Sequence, residues 1–325
     1  MKGAPPSRLK QLLVSIAPLL CVFFLKPTFV EIAPDESDEV PLIILEPSVC
    51  SALDNGAVTL EGKIAANELD LAMGKYGFAR VSYPKPDSLS HLLTAAESFF
   101  SSPQEFRDQY TFGDYGNDKG GYTSVGVESV NPKSGVKDHV QNYVFRDDLQ
   151  FDHHAPTLAS PGVAYFKEMS SLTKCLNSLS SVALDLPLDH FNDVTFPSLP
   201  DDKNGLALRI TNYEPVSGIR YGEHTDYQMF TILYTGEEEG LQVKLPNGEF
   251  SDVTFGDGFV VNAGDFWAGI TKGRWRSVTH RVKGGGARIT VPFFTGPRGS
   301  WKVNVDGEEV TAGEWLNRRL TKSNE

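Results

Sequence analysis

The spacing of apolar residues changes near the middle of this chain. Before that point, apolar side chains recur three and four residues apart in a segment that opens with Ser160 and Pro161 and ends near Leu186. Serine is a favoured N-cap and proline a favoured first helical residue, so we predict that a helix begins there. Its apolar positions, which we expect to pack against a sheet, are Phe166, Met169, Leu172, Leu176 and Leu179.

From Leu206 onward the pattern changes to short runs with the composition of β-strands. Turn-forming segments such as 246–248 and 256–258 separate these runs. Many short strands with turns between them are typical of a double-sheet jelly roll. We therefore predict an α+β fold, in which a helical N-terminal half braces a C-terminal, cupin-like double-stranded β-helix.

A separate apolar segment lies at the N-terminus. Lys2, Arg8 and Lys10 precede an almost wholly apolar run from Leu12 to Leu25. The run matches the hydrophobic region of a targeting signal and is shorter than the roughly 20 residues of a membrane-spanning helix. A signal sequence or anchor, an organellar targeting segment and a helix packed on the rest of the chain all fit, and we favour targeting. If the segment is a targeting signal, we expect an endomembrane or organellar compartment; if it is not, we expect the cytoplasm. Any contact with a membrane would involve this segment.

The composition is typical of a soluble globular protein with one large core. The chain has 325 residues, 40% of them hydrophobic, and a formal net charge of −12. Proteins that bind phosphate backbones usually carry a basic stripe, so this acidity disfavours nucleic acid as a partner. Cys21, Cys50 and Cys175 are too few and too scattered to predict a disulfide framework.

Two short segments carry the candidate chemistry. His224 and Asp226 are two residues apart, a spacing that places side chains on one side of a strand, and His280 follows several predicted strands later. Two imidazoles and one carboxylate can bind one face of a six-coordinate ferrous ion and leave the other face open for a co-substrate and dioxygen. The short motif also occurs by chance, and a histidine on a strand is more often a core or surface residue.

A second candidate site follows His280. The glycine-rich turn 284–286 separates two predicted strands, and Arg288 and Thr290 share one face of the second strand. A guanidinium group with a nearby hydroxyl can clamp a carboxylate. If Arg288 and Thr290 face a metal with open coordination positions, they indicate a dicarboxylate ligand. Such a ligand would chelate the iron at one end, and Arg288 and Thr290 would hold its other end. Taken alone, a strand arginine such as Arg288 more often extends to solvent.

At this point the chain resembles the 2-oxoglutarate-dependent, non-haem iron(II) dioxygenases, in the branch related to isopenicillin N synthase. The resemblance covers roughly residues 39 to 305 and is specific because many family segments fall in order. The segment at 222–226 is close to the family's GEHTD, and Arg288 and Thr290 stand where the family has Arg-x-Ser. The remaining matched segments are 40–43, 76–81, 121–122, 212–215, 240–243, 261–265 and 276–282.

The resemblance implies an enzyme and assigns its groups. It implies that His224, Asp226 and His280 bind Fe(II), and that Arg288 and Thr290 hold 2-oxoglutarate. The implied reaction uses O2, hydroxylates or desaturates a small-molecule metabolite, and releases succinate and CO2. We divide the chain into an extension (1–38), a helical and strand half (39–205), the oxygenase core (206–305) and a C-terminal tail (306–325).

The chain departs from the family pattern before Pro215. Many family members have a tyrosine directly before this proline, in contact with the co-substrate or substrate, whereas here Glu214 precedes it and Tyr213 lies one residue earlier. A shift of one residue turns a side chain to the other face of a strand. We therefore predict that Asn212 contacts the co-substrate, that Tyr213 faces away, and that Glu214 lies at a solvated rim.

The sequence is also compatible with two other functions. One is an iron-dependent oxidase on the same fold that does not use 2-oxoglutarate, since relatives can keep the clamp for another carboxylate. The other is a non-catalytic module that binds a small molecule. The intact set of three metal ligands disfavours the module.

Overall fold

A computed structural model describes residues 39–112, 120–127, 138–146, 153–197, 204–236, 238–305 and 308–324. The predicted extension, 1–38, lies outside these residues. Asp38–Glu325 form one compact unit. Within the described residues, no helix has the length and apolar character needed to cross a membrane.

Most helices precede most strands along the chain, in agreement with the predicted α+β order. The helices are α1 (Pro47–Asp54), α2 (Leu60–Lys75), α3 (Ser88–Phe100), α4 (Gln104–Arg107), α5 (Pro156–Ala183), α6 (His190–Thr195), α7 (Asp265–Ile270) and α8 (Ala312–Asn324), with a 3-10 turn at Asp108–Tyr110. The early strands are β1 (Leu42–Ile44), β2 (Phe78–Ser82), β3 (Thr111–Phe112), β4 (Gly120–Thr123) and β5 (Val140–Arg146). The later strands are β6 (Ala207–Tyr213), β7 (Val216–His224), β8 (Phe230–Tyr234), β9 (Leu241–Lys244), β10 (Phe250–Asp252), β11 (Gly258–Ala263), β12 (His280–Gly285), β13 (Arg288–Phe294), β14 (Lys302–Val305) and β15 (Glu308–Thr311).

The strands form two main sheets and a small hairpin. A nine-stranded sheet runs in the order β1-β2-β11-β8-β13-β6-β5-β4-β3, and a four-stranded sheet runs β10-β9-β12-β7. β14 pairs with β15. The larger sheet draws β1 to β5 from the N-terminal half, so that half contributes strands as well as helices.

Alternation along the strands gives the large sheet two different faces. On β13, Val291 and Phe293 are fully buried in the main core, and the ring of Phe293 packs edge-on against Phe166 of α5 at 5.1 Å. Arg288 and Thr290, at alternate positions earlier on β13, point to the opposite face. At β13, one face of the sheet is therefore apolar and covered by helices, and the other carries polar side chains.

Helix α5 begins earlier than predicted. Its first turn starts at Pro156, where the backbone carbonyl of Ala155 accepts hydrogen bonds from Leu158 and Ala159, so Pro161 lies inside the helix. The prediction that Ser160 and Pro161 start the helix was wrong because an equally suitable proline, five residues upstream, occupies the first helical position.

The structure joins two of the scattered cysteines. Cys50 on α1 and Cys175 on α5 form a disulfide across a sequence separation of 125 residues. The sequence predicted no disulfide framework, and spacing along the chain could not reveal this bond because it follows from the packing of α1 on α5.

Candidate active site

The two histidines and the aspartate meet where β7 and β12 pair. His224 ends β7, His280 begins β12, and the two residues are direct partners in the ladder between these strands. Asp226 follows two residues after His224. Its Oδ1 atom lies 3.8 Å from Nε2 of each histidine, and all three ligand atoms lie within 4.8 Å of one another.

Backbone carbonyl groups orient both imidazole rings. Nδ1 of His224 lies 2.8 Å from the carbonyl oxygen of Gly222, and Nδ1 of His280 lies 3.2 Å from that of Val278. A carbonyl oxygen can only accept, so each Nδ1 carries a proton, and in the neutral ring the lone pair is on Nε2. Both lone pairs are therefore on the nitrogen that faces Asp226.

Two neighbouring strands hold the carboxylate. Oδ2 of Asp226 accepts hydrogen bonds from Oγ1 of Thr231 on β8 at 2.5 Å and from Nδ2 of Asn262 on β11 at 2.7 Å. These bonds fix the carboxylate group and leave Oδ1 directed toward the histidines. No role was predicted for Thr231 or Asn262 from the sequence, although Asn262 belongs to one of the matched family segments.

The protonation states fit a divalent cation. Burial, aided by the neighbouring His280, lowers the pKa of His224 to about 4. Burial favours a higher pKa for Asp226, but His280, His224 and the two hydrogen-bond donors outweigh it and hold that pKa below its ordinary value. At neutral pH the site therefore offers a neutral His224 imidazole and the Asp226 carboxylate. With the second imidazole, that of His280, these groups form a donor set that suits ferrous iron.

The predicted clamp lies on the polar face of the large sheet. The guanidinium group of Arg288 is buried, and its Nη1 donates to the backbone carbonyls of Glu238 and Glu239 at 3.0 and 2.9 Å. Its Nε atom has no hydrogen-bond partner. No carboxylate group among the described residues forms an ion pair with Arg288. A buried cation held by two neutral carbonyl groups is suited to an anionic ligand, because an unpaired buried charge is costly.

The register of β6 and β13 corrects one predicted contact. Arg288 lies opposite Tyr213 and Thr290 lies opposite Thr211, whereas Asn212 lies opposite Ile289. Residues directly opposite each other share a face. The prediction that Asn212 contacts the co-substrate while Tyr213 faces away was therefore wrong: Tyr213 lies beside Arg288, and Asn212 is on the helix-covered face.

Tyr213 is closely surrounded by cations. The guanidinium carbon of Arg288 lies 5.3 Å from the centre of the Tyr213 ring, and that of Arg220 lies 5.4 Å from it. Burial raises the pKa of Tyr213, while Arg288 and the Thr290 hydroxyl group oppose the rise. Glu214 is exposed, as the rim interpretation predicted, and its carboxylate accepts a hydrogen bond from Gln141.

Comparison with known proteins gives the family. Residues 200–297, which include all three metal-binding candidates and both clamp residues, match the model of the 2OG-Fe(II) oxygenase superfamily. This part of the chain is therefore a 2OG-Fe(II) oxygenase domain. It is a 2-oxoglutarate-dependent Fe(II) oxygenase, and its cofactors are Fe(II) and 2-oxoglutarate. The predicted family and enzyme class are confirmed.

Relatives of this oxygenase match most of its length. A 2-oxoglutarate-Fe(II) type oxidoreductase, ppzC, from Metarhizium rileyi is 27% identical and covers 87% of each chain. Isopenicillin N synthase of Streptomyces griseus is 30% identical over 57% of each chain. The crystal structure of a full-length Neurospora crassa protein in complex with alpha-KG and thymine superposes with a TM-score of 0.73 at 22% identity, covering 89% of this oxygenase and 98% of the Neurospora chain. That similarity confirms the predicted fold class.

Proposed function

We propose that this oxygenase oxidises a small-molecule metabolite, by hydroxylation or desaturation, with release of succinate and CO2. We assign Fe(II) binding to Nε2 of His224, Oδ1 of Asp226 and Nε2 of His280. We assign the distal carboxylate of 2-oxoglutarate to Arg288 and Thr290, with Tyr213 beside them. When bound, Fe(II), 2-oxoglutarate and O2 supply the oxidising chemistry.

One observation carries the proposal. Three metal-donor atoms lie within 4.8 Å of one another, and the large sheet presents a buried guanidinium group that forms no ion pair with a carboxylate of the described residues. A set of metal donors together with an anion clamp suits a ligand with a chelating group at one end and a carboxylate at the other. A non-catalytic module would need neither the three lone pairs nor their hydrogen-bonded orientation.

The walls around the metal donors favour an organic substrate. The ring of Tyr221 packs edge-on against His224, with ring centres 5.0 Å apart. Phe294 lies on the same face of β13 as Arg288, and the guanidinium carbon of Arg209 lies 5.7 Å from the centre of its ring. Aromatic walls with few polar groups are typical of small-molecule sites. The Neurospora crassa protein that shares this fold has been crystallised with thymine.

The division of the chain follows from these assignments. We propose that residues 206–305 form the oxygenase core, braced by residues 39–205, with 306–325 as a tail and 1–38 as an extension. Every assigned side chain belongs to the proposed core. Residues 39–205 support it through β2 and β5, which pair directly with β11 and β6.

The test is succinate release with a panel of candidate metabolites. We expect wild-type enzyme loaded with Fe(II) to release succinate in a substrate-dependent manner, with an oxidised product in equal amount. Asp226→Ala should release none, because it removes the anionic metal ligand. The matched control is Asp252→Ala, since Asp252 pairs with Lys283 at the surface of the smaller sheet. Substrate oxidation without succinate would contradict the proposal.

A further inference from the structure

A β-bulge in β7 turns a second arginine into the protein. Val282 of β12 pairs with Tyr221, and the next residue, Lys283, pairs with Ile219, so Arg220 is the extra residue between them. Bulges re-aim side chains that regular alternation would place elsewhere. Here the bulge takes Arg220 to 1% exposure, whereas its neighbour Ile219 is 40% exposed.

Backbone carbonyl groups hold the buried guanidinium group of Arg220 in place. Nε donates to the carbonyl oxygen of Lys283 at 3.0 Å, and Nη1 donates to that of Gly286 at 2.9 Å. Nη2 is buried without a hydrogen-bond partner, and no carboxylate of the described residues forms an ion pair with Arg220. A Cβ atom at Gly285 would lie 2.8 Å from Nη2, so the glycine gives this group its space.

Arg220 therefore repeats the features of Arg288. Both guanidinium groups are buried, both bind two backbone carbonyls, and both lie beside the ring of Tyr213. The carbonyls that bind Arg220 belong to Lys283, near the end of β12, and to Gly286, in the turn that leads into Arg288. Stability alone does not account for a second buried cation of this kind, because apolar residues at such positions are often as stabilising or more so.

We propose that Arg220 is a positioning residue for the co-substrate: it orients the turn that carries Arg288 and adds a fixed positive charge behind the site of the distal carboxylate. This inference rests on the proposed 2-oxoglutarate site. Its consequence is selectivity for a dianionic 2-oxo acid over a monoanionic one. At an effective dielectric constant of about 20, a unit charge roughly 10 Å from a carboxylate changes affinity by about tenfold.

The experiment compares two variants with two ligands. Arg220→Gln retains an amide donor for a backbone carbonyl but removes the charge, and Arg220→Lys retains the charge. Each protein is loaded with redox-inert Mn(II) and titrated calorimetrically with 2-oxoglutarate and with 2-oxobutyrate, which lacks the distal carboxylate. Arg281→Gln is the matched control, because Arg281 lies on β12 and pairs with Glu223 at the surface.

We expect Arg220→Gln to weaken 2-oxoglutarate binding about tenfold and to change 2-oxobutyrate binding less than about twofold, as the loss of one fixed charge predicts. Arg220→Lys should retain most of the preference, Arg281→Gln should bind as wild type, and the Mn(II) affinity should be the same throughout. In turnover, Arg220→Gln should raise KM for 2-oxoglutarate with little change in kcat.

Three results would overturn the inference. Equal weakening of both ligands would reduce Arg220 to a support for the turn, and unchanged binding of both would leave it no role toward the co-substrate. A loss in Arg220→Lys as large as in Arg220→Gln would show that charge is not what matters. Failure of the wild-type protein to bind 2-oxoglutarate would instead overturn the proposed function itself.

Discussion

The two ends of the site are built in different ways. At the metal end, His224 and Asp226 are two residues apart, and His280 pairs directly with His224 across one ladder. At the clamp end, Arg288, Tyr213 and Arg220 come from three strands in two sheets. The metal end therefore depends on a two-residue spacing and one strand pair, whereas the clamp end depends on the register of three strands and on the bulge at Arg220. This difference determines which substitutions abolish binding and which only retune it.

The largest effect is expected from loss of a metal ligand. His280→Ala removes one of three donors, and the remaining pair cannot hold the ion in a facial arrangement. We expect Fe(II) affinity to fall at least about a thousandfold, an order of magnitude beyond the usual effect of an outer partner. Metal titration by calorimetry measures this, with His190→Ala on α6 as control. Near-native affinity in His280→Ala would exclude His280 as a ligand.

The metal end should also make the metal-free protein sensitive to acid. The folded pKa of His224 is about 4, below its ordinary value of 6.5, so the unfolded chain binds the proton more readily. The stability from neutral His224 is complete above pH 6.5 and is lost as the pH falls toward 4, by at most about 3 kcal/mol. Urea unfolding of metal-free protein at several pH values measures the slope.

The control for this prediction is His224→Gln, which lacks the titrating group. We expect its unfolding free energy to fall less steeply between pH 6.5 and 4 than that of the wild type. Parallel curves for the two proteins would show that His224 is not held neutral by its surroundings.

Next in size is the loss of a residue that holds Asp226. Asn262→Ala removes the hydrogen bond from Nδ2 to Oδ2 of Asp226, which fixes the carboxylate for the metal. Removal of such an outer partner typically lowers metal affinity about 10- to 100-fold. The same calorimetric titration applies, and Asn247→Ala, in an exposed turn, is the control. Unchanged affinity would mean that Asp226 needs no support from β11.

The smallest effect belongs to the clamp end and tests the register correction. Tyr213→Phe removes a hydroxyl group near Thr290 and should weaken 2-oxoglutarate binding several-fold, about 1 kcal/mol. Asn212→Ala should leave that affinity unchanged, because Asn212 lies on the other face of the sheet. The reverse order of effects would restore the arrangement predicted from the sequence.

The difference between local spacing and strand register explains which site residues could be predicted from the sequence. The His224, Asp226 and His280 set was visible because it depends on a two-residue spacing and one later histidine. The position of Tyr213 was wrong because it was judged from the offset to Pro215, whereas the pairing of β6 with β13 decides which face it shares. That pairing is a property of two strands together and cannot be read from either one.

Other features could not be foreseen for the same reason. The bulge at Arg220 exists only relative to β12, and the hydrogen bonds of Thr231 and Asn262 to Asp226 join three separate strands or turns. The disulfide of Cys50 and Cys175 depends on the packing of two helices far apart in sequence. Helices and strands were predicted in the right order because hydrophobic periodicity is local.

The most direct test of the central claim is an anaerobic titration of the purified protein with Fe(II) and 2-oxoglutarate, monitored by the visible charge-transfer band of the chelate. We expect a band in the wild type, none in His224→Ala, and in Arg288→Ala a band that needs about 100-fold more 2-oxoglutarate, as for loss of a buried charged hydrogen bond. A wild-type protein that binds Fe(II) but gives no band with 2-oxoglutarate would contradict the assignment of both ends of the site.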